Sequence, residues 1–352
     1  NYPLKEGEAR ISVKIAGDQV VDVFRYIHVP EEWARKERNQ QSNALIVRVI
    51  CGIIVFGLVV VGVIWSIVNW IRRNFSVSLF LVFFVLLFAL WIVRFINNWP
   101  QIIAGFSTAE PLSNQTLIII AGSVLLSLFL AAGLSLLVGL TPSWKRAQQP
   151  VKIIEAIKIG IFMGLFIAGI SAVMGRFAPS LAPFWADYSA AGSYLPFLGL
   201  ALDTLFQYIF MTSVLLLIYT AIDRFTNGWT QKNIPAILVM LVFGLGVAGL
   251  YSVESIPFWL VSGLLSGAVL IIVYILGFRY HLAFIPLASL AVIWLSIIRD
   301  MVFNAYPGVI VGAVVAINLV GILAVYWFLR LNTGRDKNTG LLEDIGLEKR
   351  SA

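Results

Sequence analysis

The chain has 352 residues, of which 60% are hydrophobic and only 12% are charged, with a mean hydropathy of +0.91. A soluble globular protein is closer to a quarter charged, so this composition excludes that class and indicates a polytopic protein of the lipid bilayer. The net charge of +7 comes from Lys and Arg residues that lie between apolar segments, as in membrane proteins. No basic cluster is interleaved with aromatic residues, so we expect no nucleic acid as a partner.

Cysteine and histidine are both scarce in this sequence, which contains Cys51, His28 and His281 and no others of these types. A single cysteine forms no disulfide framework, and two histidines are too few for a multi-histidine metal centre. We therefore expect no metal and no cofactor. The chain begins with Asn1 rather than Met, and we expect a signal peptide or an earlier membrane helix upstream of it.

Residues 1–44 differ in composition from everything that follows. The stretch "ARISVKIAGDQVVDVFRYIHV" contains two runs rich in Val, Ile, Phe and Tyr on either side of Gly17 and Asp18, which predicts a β-hairpin. In "PEEWARKERNQQS", Pro30 at the start and two acidic residues in the first turn predict a helix. The sequence therefore predicts a small extramembrane module made of a β-hairpin and a helix.

Apolar segments then follow one another through the chain, each close to the ~20 residues that a helix needs to cross the hydrocarbon core. They lie at 45–71, 76–96, 116–140, 153–174, 194–222, 234–252, 256–278, 282–303 and 308–330. The weakest candidates are 234–252, which is short, and 282–303, which contains Arg299 and Asp300. The predicted fold class is an all-α polytopic membrane protein with about eight or nine transmembrane helices.

This pattern divides the chain into three parts: the module at 1–44, a transmembrane helical domain at 45–331, and a polar cytoplasmic tail at 332–352. The orientation follows from the basic loop residues, because the side of the membrane that collects them is the cytoplasmic one. One side collects Arg72, Arg73, Lys145, Arg146, Lys152, Arg224, Lys232, Arg279, Arg330, Arg335 and Lys337. We therefore expect a cytoplasmic C-terminus and a periplasmic N-terminal module in a bacterial inner membrane, although three basic residues beside the first span argue for the opposite orientation.

The segment "LALDTLFQYIF" (Leu200–Phe210) places Asp203 and Gln207 one helical turn apart and so on one face. A carboxylate at bilayer depth costs about 3 kcal/mol even on lenient insertion scales. Two interpretations of Asp203, Gln207 and Asp300 have equal weight: a buried polar contact that fixes helix packing, or a proton-handling or hydrolytic site. Arg94, near the end of its span, is expected to extend toward the membrane interface.

Three stretches resemble the CPBP (CAAX protease and bacteriocin-processing, or Abi) family of intramembrane proteases. They are "GDQVVDVFRYIHVPEEWARKER", "RFINNWPQIIAGFSTAEPLS" and "GLYSVESIPFWLVSGLLSGAVLIIVYILGFR". The resemblance implies a CPBP-like core at about 150–331 and three catalytic motifs on separate helices. In the family, a glutamate activates water for attack on a peptide carbonyl, and histidines position the water and stabilise the oxyanion.

The first of these motifs is a Glu-Glu pair followed by Arg, and "LDTLFQ" stands in its place. Leu202 replaces the first Glu, the shorter Asp203 replaces the second, and Gln207 replaces the Arg, while Phe206 fits. A general base must lie within hydrogen-bond reach of the water, and a misplacement of ~1 Å costs on the order of 10²-fold in rate. Leucine offers no base at all, and the aspartate is one methylene too short.

The two histidine motifs have lost their histidines. In the place of F-x-x-x-H, "FGLGV" keeps Phe243 and has Val247, and in the place of H-x-x-x-N/D, "SIIRD" has Ser296 and keeps Asp300. With both histidines absent, the proton relay and the oxyanion donors are absent as well. The resemblance therefore implies a catalytically inactive homologue that acts as a structural or accessory subunit of a larger membrane complex, with other integral membrane proteins as partners.

Three alternatives remain open from the residues. The chain is a divergent active intramembrane endopeptidase that uses Asp203 with Asp300, or a transporter or channel whose polar path includes Asp203, Glu254 and Asp300. The third is pigment or haem binding through His281, against which stands the usual interfacial position of a lone histidine at a span end. No inverted repeat of broken helices supports the transporter.

Overall fold

The computed structural model describes residues 7–140, 151–177, 188–251, 255–304 and 306–332. Two strands begin the fold, β1 (Glu8–Ala16) and β2 (Gln19–His28). The helices are α1 (Glu31–Ile71), α2 (Val77–Asn97), α3 (Trp99–Ala104), α4 (Leu112–Gly139), α5 (Ile153–Arg176), α6 (Pro196–Phe225), α7 (Asn233–Tyr251), α8 (Ile256–Val273), α9 (Phe284–Phe303) and α10 (Val309–Asn332). A short 3₁₀ turn (Ser189–Gly192) precedes α6, and a π-helical turn (Tyr274–Phe278) extends α8.

Within these described ranges, nine helices are long and apolar enough to cross a membrane, namely every α-helix except the short α3. The predicted all-α architecture with about eight or nine such helices is confirmed, and the two weakest candidates are the helices α7 and α9. Several boundaries differ by a few residues, and the largest shift of a span start after α1 is at α4, which begins at Leu112 and not at position 116. The preceding connection contains α3, which begins with Trp99 and Pro100 because proline suits a first helical turn.

The predicted hairpin is confirmed. β1 and β2 pair antiparallel around a two-residue turn, where Gly17 has a φ of +66° that a side chain would strain. Lys14 pairs with Asp22 while Ile15 pairs with Val20, so Val21 is an extra residue that bulges from β2. Nearly every residue of both strands is exposed, because no other described element packs on the sheet.

Helix α1 is a single element of 41 residues that crosses position 44, the expected boundary of the N-terminal module, without interruption. At 1.5 Å per residue it is about 60 Å long, roughly twice the hydrocarbon thickness of a bilayer. Its polar beginning, Glu31–Asn43, is the part that does not fit in the hydrocarbon, so this part extends the helix beyond the apolar span and holds the hairpin at its end.

Helix α6 lies at the centre of the bundle and packs against α10, α9, α2 and α4, while α7 packs mainly along α8 and α1. Small residues allow the closest approaches, as expected where lipid provides no hydrophobic drive between helices. A Cβ on Gly164 would lie 2.3 Å from the Ala288 carbonyl oxygen, which brings α5 against α9. A Cβ on Gly244 would lie 2.3 Å from the Gly267 backbone nitrogen, which brings α7 against α8.

Some expected features fall outside the described residues. These are the polar tail after Asn332, the loop with Lys145 and Arg146, and Glu254 of the transporter alternative.

Candidate functional site

Helix α6, which contains the "LDTLFQ" segment, is the most deeply buried of the nine candidate spans. Two thirds (67%) of its most apolar 18-residue window is buried inside the bundle. Four hydroxyl-bearing residues of α6 are almost fully buried in the bundle: Thr204, Thr212, Ser213 and Thr220. The Thr204 hydroxyl donates to the Leu200 carbonyl at 2.6 Å, a local bond that satisfies a buried hydroxyl within its own helix.

Asp203 contacts a helix from outside the expected 150–331 core. Its Oδ1 lies 2.8 Å from Nε of Arg94 on α2, and both side chains are about two-fifths exposed. The approach is an ion pair rather than an aligned hydrogen bond, since Asp203 Oδ1 accepts no hydrogen bond from any described residue. Arg94, which the sequence placed near the end of its span, thus has a carboxylate partner on the neighbouring helix.

Aromatic rings surround this ion pair. The Arg94 guanidinium lies 5.4 Å from the centre of the Trp91 ring, a cation–π distance. The Trp91 ring in turn meets Phe206 edge-to-face, with the ring centres 5.3 Å apart. Asp203 and Phe206 of α6 thus contact Arg94 and Trp91 of α2, which are one turn apart, and these contacts fasten the two helices together.

The other two positions of the segment face different surroundings. Leu202 is buried, whereas Gln207 is exposed and forms no side-chain hydrogen bond with the described part of the chain. Asp203 and Gln207 therefore do not act together. Within the described residues, Asp203 makes a polar contact with a neighbouring helix, as in one of the two interpretations that the sequence left open, and Gln207 makes none.

The segment compared with the second motif, "FGLGV", lies on α7, whose main packing partners are α8 and α1 rather than α6. Phe243 is buried and Val247 is partly buried. Both side chains are apolar, so this position offers neither a hydrogen-bond donor nor a base to a water molecule.

The segment compared with the third motif, "SIIRD", lies near the end of α9. Ser296 is partly buried, and the Asp300 carboxylate accepts hydrogen bonds from its neighbour Arg299 at 2.9 and 3.1 Å. Asp203 and Asp300, which the endopeptidase alternative pairs with each other, are thus each paired with a different arginine. Among the described residues, no group of three or more His, Cys, Asp and Glu side chains could hold a metal ion.

His281 lies between the π-helical turn and α9 and is buried within the described chain. Its Nδ1 accepts a hydrogen bond from the Ala283 backbone N–H at 3.3 Å, and its ring lies 5.5 Å from that of Phe284. These contacts orient the start of α9. His281 therefore has a structural role at the start of this helix.

Two polar residues that sequence reasoning missed connect distant helices. The Asn97 amide, at the end of α2, donates to the Leu195 carbonyl at 3.1 Å and accepts from the Leu195 N–H at 2.8 Å. The buried Tyr208 hydroxyl donates to the Pro286 carbonyl at 3.2 Å, which links α6 to α9. The available signal for Tyr208 was its spacing of four residues from Thr204, which places both on one helix face.

An apolar recess of about 280 Å³ lies beside the end of α2 and is lined by Phe95, Ile96, Trp99, Ile120 and Tyr194. Its lining is almost wholly apolar, so it suits a hydrocarbon chain better than a polar reacting group.

Comparison with protein-family models, with curated proteins and with solved structures finds no match to this chain. The resemblance to the CPBP proteases is therefore a prediction from the quoted sequence stretches, and what is established is a multi-helix protein with nine helices suited to a membrane in its described ranges.

Proposed function

We propose that this chain is a catalytically inactive CPBP-like protein that serves as a structural or accessory subunit of a membrane protein complex. The observation that best supports this is the ion pair between Asp203 and Arg94. The one acidic residue that the first motif retains contacts a neighbouring helix, so its chemistry is used for packing.

The residues at the remaining motif positions support the same conclusion. Peptide hydrolysis requires a positioned base and donors for the oxyanion. Leu202 and Val247 have neither, and Asp300 is bonded to Arg299. A pseudoenzyme keeps the helical scaffold of its relatives while the positions that performed catalysis take on packing.

The proposed location is a bacterial inner membrane, with a periplasmic hairpin and a cytoplasmic C-terminus. The odd number of apolar helices in the described ranges supports opposite sides for the start of α1 and the end of α10. The basic residues between the spans support the cytoplasmic side for the C-terminus.

The subunit proposal is tested by purification from native membranes in a gentle detergent, with an affinity tag at the C-terminus. We expect other integral membrane proteins to co-elute in fixed ratio, in a complex much larger than the 38.9 kDa chain. A lone monomer or homo-oligomer, without any co-purifying protein, would contradict the proposal.

Inactivity is tested by reconstituting the purified chain in vesicles with membrane-embedded peptide substrates. We expect no cleavage by the wild type. Cleavage that is lost in Asp203→Ala and in Asp300→Asn, but retained in the matched surface variant Asp22→Asn, would establish the divergent endopeptidase instead.

A further inference from the structure

The hairpin displays a mainly aliphatic face, interrupted by Arg25, that nothing in the described chain covers. Strand alternation places the odd-numbered residues of β1 on one face, together with Val23, Arg25 and Ile27 of β2. The aliphatic members are all exposed: Ile11 by 61%, Val13 by 49%, Ile15 by 66%, Val23 by 58% and Ile27 by 60%. An isolated two-stranded hairpin is marginally stable in water, whereas sheets with three or more strands and an apolar face are stable.

The free edge of β1 is suited to accept another strand. Ala16 and Gln19 flank the two-residue turn, so the even-numbered residues of β1 bond to β2 and the odd-numbered ones direct their N–H and C=O groups outward. β1 is nine residues long, has no proline and is free of bulges. The edge of β2 is interrupted by the extra residue Val21, and bulges of this kind disfavour further pairing.

We propose that β1 pairs antiparallel with β1 of a second copy of this chain, centred on Ile11. Two hairpins then form one four-stranded sheet, in which Ile11 faces Ile11 of the second copy and Ala9 faces Val13. All three are odd-numbered, so their outward backbone groups form the inter-chain hydrogen bonds. The pairing concerns the edge and joins the two aliphatic faces into one.

Charge selects both the second copy and this register. With Ile11 at the centre, Glu8 of each chain stands opposite Lys14 of the other, which gives two attractive cross-strand pairs. Centring on Ser12 instead places Arg10 opposite Lys14, and centring on Arg10 places two arginines together. Centring on Val13 brings no charges into opposition. Centring on Ala9 also pairs Glu8 with Arg10, but it overlaps only residues 8–10 of the nine-residue strand. Among the registers that overlap most of β1 and keep side chains on their proper faces, the one on Ile11 is electrostatically self-complementary.

The pairing is accessible because α1 holds each hairpin beyond its apolar span, and two copies in one membrane meet at high local concentration. The inference does not rest on the proposed function, since an active protease or a transporter would present the same edge. If the hairpins do not pair, the subunit proposal is unaffected. If the chain is not a subunit of a complex, the pairing of the hairpins is unaffected.

The experiment is disulfide trapping in native membranes with the full chain, in a Cys51→Ala background. Ile11→Cys should form a disulfide-linked homodimer of twice 38.9 kDa, because residues opposed across an antiparallel ladder have Cα atoms about 5.5 Å apart. Ile27→Cys is the matched control, since it lies on the same face with equal exposure but on β2, and it should remain monomeric.

Charge reversal tests the register. Lys14→Glu should reduce the Ile11→Cys dimer about tenfold, because two attractive pairs become two repulsive ones, and adding Glu8→Lys should restore it. The intrachain contacts Glu8–Arg10 and Lys14–Asp22 are exposed and weak, so their loss has little influence. The proposal is overturned if Ile11→Cys and Ile27→Cys are trapped equally or if neither forms a dimer. It is also overturned if the product contains another protein in place of the homodimer, or if the second charge reversal does not restore the dimer.

Discussion

Helices α1 and α6 show opposite relations between composition and burial. The apolar window of α1 is the most hydrophobic of the nine candidate spans, yet only 6% of it is buried inside the bundle. Helix α6 is less hydrophobic and has 67% of its window buried. In a membrane, lipid solvates apolar side chains as well as protein does, whereas hydroxyl and carboxyl groups are costly on a lipid-facing surface, so a helix that contains them is favoured inside the bundle. The moderately polar helix therefore becomes the core.

The largest difference should come from removing a large side chain from each helix. Leu216 of α6 is fully buried, while Phe56 of α1 is 69% exposed. Leu216→Ala should lower the free energy of unfolding by about 2–5 kcal/mol, because it leaves a cavity in packed surroundings. Phe56→Ala should change it by less than about 0.5 kcal/mol, because lipid fills the space. Reversible denaturation in mixed micelles measures both, and equal losses would contradict the contrast.

Glycines provide a second comparison of the two surroundings. A Cβ on Gly312 of α10 would lie 2.4 Å from the Phe197 carbonyl oxygen of α6, whereas a Cβ on Gly57 of α1 meets nothing within 4 Å. Gly312→Ala should therefore cost about 1–3 kcal/mol through overpacking, and Gly57→Ala should stabilise slightly through helix propensity. A thermal melt that falls for both variants alike would show that α1 is also packed.

The Arg94–Asp203 pair sharpens the comparison, because it connects α6 to a neighbouring helix through charge. A double-mutant cycle with Arg94→Gln and Asp203→Asn should give a coupling of about 0.5–1 kcal/mol, since both side chains remain partly exposed. The control is the cycle of Arg299 with Asp300, adjacent residues of one helix whose coupling in global unfolding should be smaller. A coupling of zero for Arg94 with Asp203 would remove the main support for a structural role.

The smallest effect concerns the exposed hairpin. The Arg10 guanidinium, through its hydrogen bond and charge, holds the pKa of Glu8 below its ordinary value of 4.5. A lowered pKa in the folded state means that this contact stabilises above that value and is lost as the pH falls through the lowered one. Arg10→Gln should raise the pKa of Glu8 toward 4.5, as followed by carboxyl NMR. Arg25→Gln, on the opposite face, should leave it unchanged.

The sequence indicated Asp203 as a candidate site residue, but it did not indicate that Arg94 is the partner of Asp203. The spacing of Asp203 within "LDTLFQ" showed a polar residue in an apolar helix, and Arg94 appeared as a charge near a span end. Nothing in local spacing relates the two, because they lie on helices that meet only after the bundle folds. The opposite exposure of Gln207, one turn from Asp203, likewise depends on where α6 meets its neighbours.

The sequence by itself determined the class of protein, the hairpin and the approximate limits of the helices, because these follow from hydropathy, strand alternation and turn residues within short windows. The tertiary structure alone decided which helix forms the core, which partner Asp203 has and which hairpin surfaces stay uncovered. An apolar helix has the same sequence pattern whether it faces lipid or packs against protein, so only the packing of hydroxyls, charges and glycines distinguishes the two surroundings.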